Sequence, residues 1–376
     1  MRYMDAGEAH GLGLVTIVDD VPAGLRINPH NIDDDIARWD RLHGRPAQQR
    51  AYEGVELLAG VKDGRTVGAP VALCLARAEN GAAMEGERRR SVVRPGTAEL
   101  AGALKRDLDD CCDISDRTDA RVGAMRVAAA GVPREFLADL GVEVHSYVTR
   151  IGEAVMREDV DASERFAYTP LDVEMSTLRC PSAQATRAME AQIDRAVAED
   201  DTLDGEFRVA ITGLVPGLGD DMQPRGGMQP LLAAAAFSVA GVRGVEFGCA
   251  TAGLCGSRAI DTPSCTSLGF TRSSNRAGGI EGGVSTGLPI ILRVAVAAPS
   301  VLGKEVSALD METLDSVDCA PGRFDACRVP SVAVAVESEL AFALAQAYRS
   351  KFGGDCMGDV HAALDAYNAR LARAAR

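Results

Sequence analysis

The stretch GVKDGRTVGAPVAL, from Gly60 to Leu73, recurs in the second half of the chain as GIEGGVSTGLPIIL, from Gly279 to Leu292. Gly60, Gly64, Gly68, Pro70 and Leu73 fall without a gap on Gly279, Gly283, Gly287, Pro289 and Leu292. Two further landmarks recur in the same order: Val21-Pro22-Ala23-Gly24-Leu25 as Val215-Pro216-Gly217-Leu218, and Gly54-Val55-Glu56 as Gly244-Val245-Glu246. Three ordered matches indicate an internal duplication.

The elements around these landmarks correspond as well. Alternating apolar runs, Leu14 to Val18 and Phe207 to Ile211, precede the two VP(A)GL loops and read as strands. A helix follows each loop. In the first half Ile32, Ile36 and Trp39 share a face, with Asp33, Asp34 and Asp35 expected in the first turn and Arg38 and Arg41 near the end. In the second half Leu231, Leu232 and the alanines after them are apolar all round, which predicts a buried helix. A strand rich in Val, Ile and Leu follows each glycine-punctuated turn. The fold class expected is α+β, a β-α-β sandwich of two pseudo-symmetric halves with helices between sheets. Residues 1–376 are expected to form a single domain with halves at about 1–150 and 200–345. The alternative, two separate domains joined near Asp159 to Ser163, leaves the alanine-rich helix without cover on every side. Between the halves lies the acidic stretch Glu158, Asp159, Asp161; beyond it Ser182 caps a helix bearing Met189 and Ile193. Helices over Val334 to Ser350 and Val360 to Arg373 close the chain, separated by Gly353-Gly354.

Composition narrows the class. Of 376 residues, 47% are hydrophobic and 25% charged, an ordinary globular mix. No run approaches the roughly 18 uninterrupted apolar residues of a membrane span. The opening MRYMDAGEAHG carries acids and no apolar core, so it does not read as a signal peptide, and a cytoplasmic protein is expected. The ten cysteines include no C-x-x-C pair, which argues for reduced thiols and against a metal site. A net charge of −14 argues against nucleic acid and anionic membranes as partners. Against that background arginines cluster: Arg38, Arg41, Arg45, Arg50; Arg88, Arg89, Arg90, Arg94; Arg117, Arg121, Arg126. Most surface arginines are simply solvated. Several clusters in Gly- and Pro-rich segments nevertheless point to a small polyanionic ligand, because guanidinium matches carboxylate and phosphate in a fork.

Of the five histidines, His10 stands out in Gly7-Glu8-Ala9-His10-Gly11, just before a strand. Glycine there permits close approach of a ligand, and histidine exchanges a proton near neutral pH. The Gly-rich pieces after His10, near Gly217 and near Gly278 match neither a Walker A loop nor a dinucleotide fingerprint, and each reads better as a turn. No Ser-His-Asp or Cys-His context is present. The residues by themselves lead as far as a small-molecule enzyme for an anionic substrate.

Longer motifs carry a resemblance. GEAHG followed by VTIVDDVPAGL, VELLAGVKDGRTVGAPVAL, and RPGTAELAGALK from Arg94 to Lys105 resemble the chorismate synthase family. So do RGVEFG, SNRAGGIEGGVSTGLPI from Ser274 to Ile290, GRFDACRVPSVAVAVE from Gly322 to Glu337, and KFGGD from Lys351, all in the family's order. The resemblance implies a carbon–oxygen lyase of the shikimate pathway that eliminates phosphate from 5-enolpyruvylshikimate 3-phosphate, giving chorismate. It implies non-covalent reduced FMN without net redox change, NADP associated with that flavin chemistry, and a homotetramer. By the same resemblance His10 protonates the departing phosphate, and Asp325 helps remove the C6 proton. Arg38, Arg94, Arg121, Arg323 and, with a one-residue slip, Arg45 hold the substrate's anions. Arg117, Thr118, Asp119, Ala240, Gly241, Gly282, Ala298, Ser300 and Arg323 fall at flavin-contacting positions.

The chain departs from the family's pattern at the flavin. R-P-G-H has become Arg94-Pro95-Gly96-Thr97, and a threonine holds no proton near neutral pH. R-S-S-A-R-E-T reads Arg117-Thr118-Asp119-Ala120-Arg121-Val122-Gly123, which adds a negative charge. K-P-T-S-S reads Ala298-Pro299-Ser300-Val301-Leu302, without the lysine. These changes predict a weakened flavin site beside a better-kept anion site. They leave two functions in competition: a synthase with relaxed flavin contacts, or a diverged paralogue that binds anionic ligands with little or no synthase activity.

Overall fold

The two copies of the repeat share their hydrogen bonds. In the computed structural model, which describes residues 1–43, 54–76, 89–157, 168–249, 255–266, 269–322 and 324–375, Thr66 and Ser285 occupy equivalent places. Thr66 Oγ1 donates to Pro22 O (2.6 Å) and accepts from Leu25 N (3.0 Å). Ser285 Oγ donates to Val215 O (2.7 Å) and accepts from Leu218 N (2.9 Å). In each half a buried hydroxyl thus staples the VP(A)GL loop to the following hairpin. Glycine is obligatory at the start of each hairpin. Gly60 (φ 84°) and Gly279 (φ 78°) are left-handed, and a Cβ on either would sit 2.4 Å from the carbonyl oxygen of Pro70 or Pro289.

The strands extend the correspondence. The first sheet comprises β1 (Arg2–Ala6), β2 (Gly13–Asp19), β3 (Glu56–Ala59) and β4 (Val71–Ala76), antiparallel in the order β1-β2-β4-β3. The second comprises β5 (Glu143–Ile151), β6 (Ala154–Val155), β7 (Gly205–Thr212), β8 (Val242–Phe247) and β9 (Ile290–Val296), antiparallel in the order β8-β9-β7-β5-β6. Set side by side, β1-β2-β4-β3 matches β5-β7-β9-β8.

Helices α1 (Pro29–Asp40), α2 (Glu99–Arg106), α3 (Cys111–Thr118), α4 (Gly123–Asp139), α5 (Met228–Phe237), α6 (Val329–Phe352) and α7 (Met357–Ala374) complete the frame that positions the site. By position in the repeat α1 pairs with α5, and α4 with α6. Helix α4 packs on α6, on α1 and beneath β2, while α6 also packs on α5, β5 and β7. Helices of both halves therefore lie between the two sheets, and the fold is the α+β sandwich expected. Leu14, Thr16 and Val18 of β2, with Val71, Leu73 and Leu75 of β4, are buried against this helical layer, whereas Val15 and Ile17 face outward. Helix α6 is long and apolar enough to cross a membrane by length and composition, yet most of it is packed inside the protein as the central core helix. Gly131 of α4 lets α1 approach closely, since a Cβ there would lie 2.5 Å from Ile32 Cγ1.

Three local expectations need correction. Helix α1 starts at Pro29, with the Asn28 side chain accepting from His30 N (3.2 Å), so Asp33–Asp35 lie beyond the first turn. Asp33 instead accepts from Val55 N (2.9 Å), holding the return to β3. Helix α5 is not buried all round. Met228, Leu232 and Ala236 face α6 and β8, while Phe237 is 52% exposed, because the helix lies at the margin of the helical layer. The last two helices begin earlier than the pattern suggested, at Val329 and Met357, with Gly353-Gly354 between them. The Ser182 cap is as read, accepting from Ala185 N (3.3 Å) ahead of a helix over Ala183–Ala198. The acidic stretch Glu158, Asp159, Asp161 and the linker near Asp159 to Ser163 lie outside the described residues.

A polar knot sits inside the helical layer. Glu337 of α6, with no exposed side-chain surface, accepts from Arg38 Nη2 (2.9 Å), Arg134 Nη2 (3.0 Å), Arg179 Nη2 (2.7 Å) and Ser146 Oγ (2.5 Å). Arg38 also binds Asp35 (2.5 Å) and Glu174 (2.9 Å), and Arg134 Nε lies 3.3 Å from Asp35. Arg179 also binds Glu174. Three guanidinium groups thus face three carboxylates.

Candidate active site

The loop after β1 carries His10 to the start of a helical segment. Asp110 caps α3, its side chain accepting from Cys112 N (2.8 Å) and from Arg90 N (3.1 Å), which fixes the helix to the strand-like stretch before Arg94. Nearly two turns on, Asp116 holds the histidine loop twice. Its carbonyl accepts from Ala9 N (2.9 Å), and its carboxylate Oδ1 lies 2.5 Å from His10 Nδ1. The short 3₁₀ turn Ala120–Val122 between α3 and α4 then sets Arg121 Nη2 at 3.3 Å from His10 Nε2.

Asp119, which ends α3, takes hold of Arg121 from three directions: backbone N (2.7 Å), Nε (3.0 Å) and Nη2 (3.0 Å). Burial disfavours charge on Asp119. The hydrogen bonds and charge of Arg121, helped by the charge of Arg328, outweigh that and hold its carboxyl below the usual carboxylate range. Arg328 sits at the entrance to α6, with Nε 3.8 Å from Asp325 Oδ2. His10, Arg121 and Asp119 thus form one contact cluster, and Asp325 pairs with Arg328, whose positive charge is felt at Asp119. The two residues assigned to proton transfer, from opposite halves of the sequence, are linked through that electrostatic coupling.

Several of the expected flavin positions also gather. Ser300 Oγ donates to Gly96 O (3.0 Å), bringing the Ala298–Leu302 segment against the Arg94–Thr97 turn. Gly322 N donates to Leu302 O (3.1 Å), and Ala297 N to Gly241 O (2.8 Å). Thr97, Ala240, Gly241, Ala298, Ser300 and the approach to Asp325 thus share one neighbourhood. Gly241 adjoins the Val242–Val296 end of the β8–β9 ladder, whereas Gly282 lies in a hairpin beyond the Phe247–Leu292 end, so these contacts do not by themselves bring Gly282 to the same place.

Among the described residues, several side-chain donors of the family's flavin pattern are spent or missing. Thr97 Oγ1 gives its proton to Arg94 O (2.7 Å), Thr118 Oγ1 to Ile114 O (2.8 Å) and Ser300 Oγ to Gly96 O (3.0 Å). Ala298 offers no side-chain donor, and Asp119 brings a charge of the wrong sign for a phosphate. Arg117 and Arg126 are paired with Asp5, at 3.1 and 3.0 Å, and Arg117 keeps its Nη1 buried without a hydrogen-bond partner among the described residues.

The arginines divide. Arg121 lies against His10. Arg94 lies in the turn before α2, its backbone N donating to Glu99 (2.7 Å). Arg38 is corrected: its guanidinium is used by Asp35, Glu174 and Glu337 in the internal knot, which gives it a structural job in place of the substrate contact expected. Arg45 and Arg323 lie outside the described residues. Sequence reading missed Asp116 and Arg328. Asp116 directly precedes the Arg117–Gly123 motif, and Arg328 stands three residues after Asp325, but nothing in their local sequence ties them to His10 or Asp119.

The family model described as chorismate synthase matches residues 1–348. A chorismate synthase from Desulforudis audaxviator is 37% identical over 379 residues, covering 96% of this chain and 95% of the relative. One from Rubrobacter xylanophilus is 36% identical over 386 residues, covering 100% and 98%. A solved structure described as a crystal structure of chorismate synthase superimposes with a TM-score of 0.80 at 28% identity, covering 99% of this chain and 98% of the other.

Proposed function

The chain belongs to the chorismate synthase family, and on that premise we propose that it is a carbon–oxygen lyase that eliminates phosphate from 5-enolpyruvylshikimate 3-phosphate to give chorismate. The observation that supports this reading is the His10–Arg121–Asp119 contact cluster, with the Asp325–Arg328 pair electrostatically coupled to Asp119. It puts a group suited to give a proton beside an arginine that matches phosphate, and a group suited to take a proton beside a second arginine.

The roles follow from the chemistry. Arg121 draws the phosphate toward His10. The C–O bond breaks with its electrons leaving on phosphate, and His10 Nε2 supplies the proton that the leaving group takes. The carboxylate of Asp325 accepts the proton from carbon, whose C–H electrons become the new C=C bond. Proton and electron counts balance without net oxidation. The resemblance also implies reduced FMN; Thr97, Asp119 and Ala298 replace donors of the family's flavin pattern, and the residue roles above do not depend on it.

Phosphate release by the purified protein, with the substrate and with reduced FMN supplied, tests the proposal. His10→Ala and Asp325→Ala should each lower kcat by about 10²–10⁴-fold with substrate affinity nearly unchanged, since each handles a proton in transit. Affinity falling in step with turnover would reassign both residues to binding. One observation favours a second reading, an anion-binding member with little or no synthase activity: Asp119 already occupies the arginine that should meet the phosphate. Saturable substrate binding without phosphate release would select it.

A further inference from the structure

We propose that Asp116 is the positioning residue of His10, fixing its ring orientation and its tautomer; the kinetic part of this rests on His10 being the proton donor proposed above. A histidine in a loop flanked by Gly7 and Gly11 has no intrinsic reason to hold one rotamer. Asp116 supplies that reason from a helix. Its backbone oxygen grips the loop at Ala9 N (2.9 Å), and its carboxylate meets the imidazole at Nδ1 (2.5 Å). Loop and ring are therefore referenced to the same rigid residue. The side chains are 14% and 29% exposed for His10 and Asp116, so water competes poorly for the contact.

Asp116 and Arg121 also assign the ring's proton. An ionised carboxylate only accepts, so the proton on that side belongs to Nδ1. A guanidinium only donates, so Nε2, 3.3 Å from Arg121 Nη2, presents its lone pair. In this arrangement Nε2 is the atom aimed at the ligand side; it takes a proton from solvent, forming the imidazolium whose other proton Asp116 holds, and then delivers that proton to the leaving phosphate. When a phosphate engages Arg121, the contact with Nε2 opens in the same direction. Without Asp116 the ring is free to flip or to carry its proton on Nε2 facing Arg121, a donor against a donor.

The test uses the intact protein labelled with ¹⁵N-histidine, with His10→Gln identifying the His10 signals among the five histidines. Wild type should show a His10 proton on Nδ1 that is shifted downfield and slow to exchange. Asp116→Ala should lose it while the melting temperature stays close to wild type, and the near-isosteric Asp116→Asn covers the case in which alanine harms folding. Turnover should fall about 10–100-fold, as for other partners that orient a functional imidazole, with KM within about threefold. Asp116→Glu should recover part of the loss. In the His10→Gln background Asp116→Ala should cost nothing more. Unchanged His10 signals in Asp116→Ala and Asp116→Asn would overturn the proposal. So would an equal loss of turnover in the His10→Gln background, which would mark a general structural role. If His10→Gln itself keeps full turnover, or wild type turns over no substrate, the functional reading fails, and the histidine signals alone decide whether Asp116 holds the ring.

Discussion

Glu337→Gln should be the most damaging single-atom change in the helical layer. Glu337 has no exposed side-chain surface and accepts from three guanidinium groups and the Ser146 hydroxyl. Replacing one carboxylate oxygen by an amide leaves the positive charges of Arg38, Arg134 and Arg179 facing only Asp35 and Glu174. It also turns an amide N–H donor toward donors. Breaking a buried ion pair from one side typically costs about 3–5 kcal/mol. For a chain of 376 residues this corresponds to a melting temperature lower by roughly 4–6 °C at neutral pH. The pH dependence gives a second reading. Burial pushes the Glu337 carboxyl upward, but Arg38, Arg179 and Arg134 outweigh it and hold the folded carboxyl far below the usual range. The unfolded chain therefore takes up the proton first. The contribution is complete above the unfolded value of about 4.3 and is lost as pH falls below it toward the folded value. Calorimetric scans from pH 7 to pH 3 should show the gap between wild type and Glu337→Gln narrowing in acid. The exposed pair Arg2–Asp19 provides the control, since Asp19→Asn should leave the midpoint in place. A variant that melts with wild type at pH 7, or a gap that does not shrink in acid, would refute this account of the knot.

Two further outcomes are expected. Ala298→Lys should tighten FMN about 10–100-fold by calorimetry, one charge-assisted contact being worth roughly 1.5–3 kcal/mol, and wild-type binding as tight as the variant's would show that the site has been rewired instead. Light scattering at micromolar concentration should give a homotetramer, with exposed Met4, Val15, Ile17 and Leu58 of the first sheet among the apolar groups it covers, and Ile17→Lys should shift it toward smaller species; a stable wild-type monomer would remove that reading.

How much of this could be read from sequence depends on how local the cause is. The duplicated hairpins were legible because left-handed glycines at fixed offsets are demanded by backbone contacts a few residues away, as at Gly60 and Gly279. Strands β2 and β7 were legible because one face alternates into the core. Composition could not separate α5 from α4 and α6. All three are rich in alanine or valine, and only the tertiary layering puts α5 at the margin and the others at the centre. The same divide runs through the arginines. Arg38 reads like a ligand-binding arginine, but its partners Glu174 and Glu337 lie 136 and 299 residues away, and no periodicity points to them. His10 could be singled out from its flanking glycines, whereas Asp116, 106 residues on, could be found only in space.

Asp119 shows most sharply how a departure changes meaning once the fold is known. In sequence it reads as an unwanted negative charge beside a flavin or a phosphate. In the structure it forms a two-pronged pair with Arg121, the arginine nearest His10. An anion arriving at Arg121 does not meet an isolated positive charge; it competes with a carboxylate two residues away that is permanently at high effective concentration. A single carboxylate on a ligand gains little by that exchange. A phosphate, with more charge and three acceptor oxygens, has the advantage needed to displace or share the guanidinium. The pair therefore favours phosphorylated ligands over plain carboxylates, and it explains why Asp119→Ser is a poor probe of flavin binding. That substitution would release Arg121 and alter substrate affinity as well as the flavin's surroundings, whereas Ala298→Lys adds a charge without touching the His10–Arg121–Asp119 contacts.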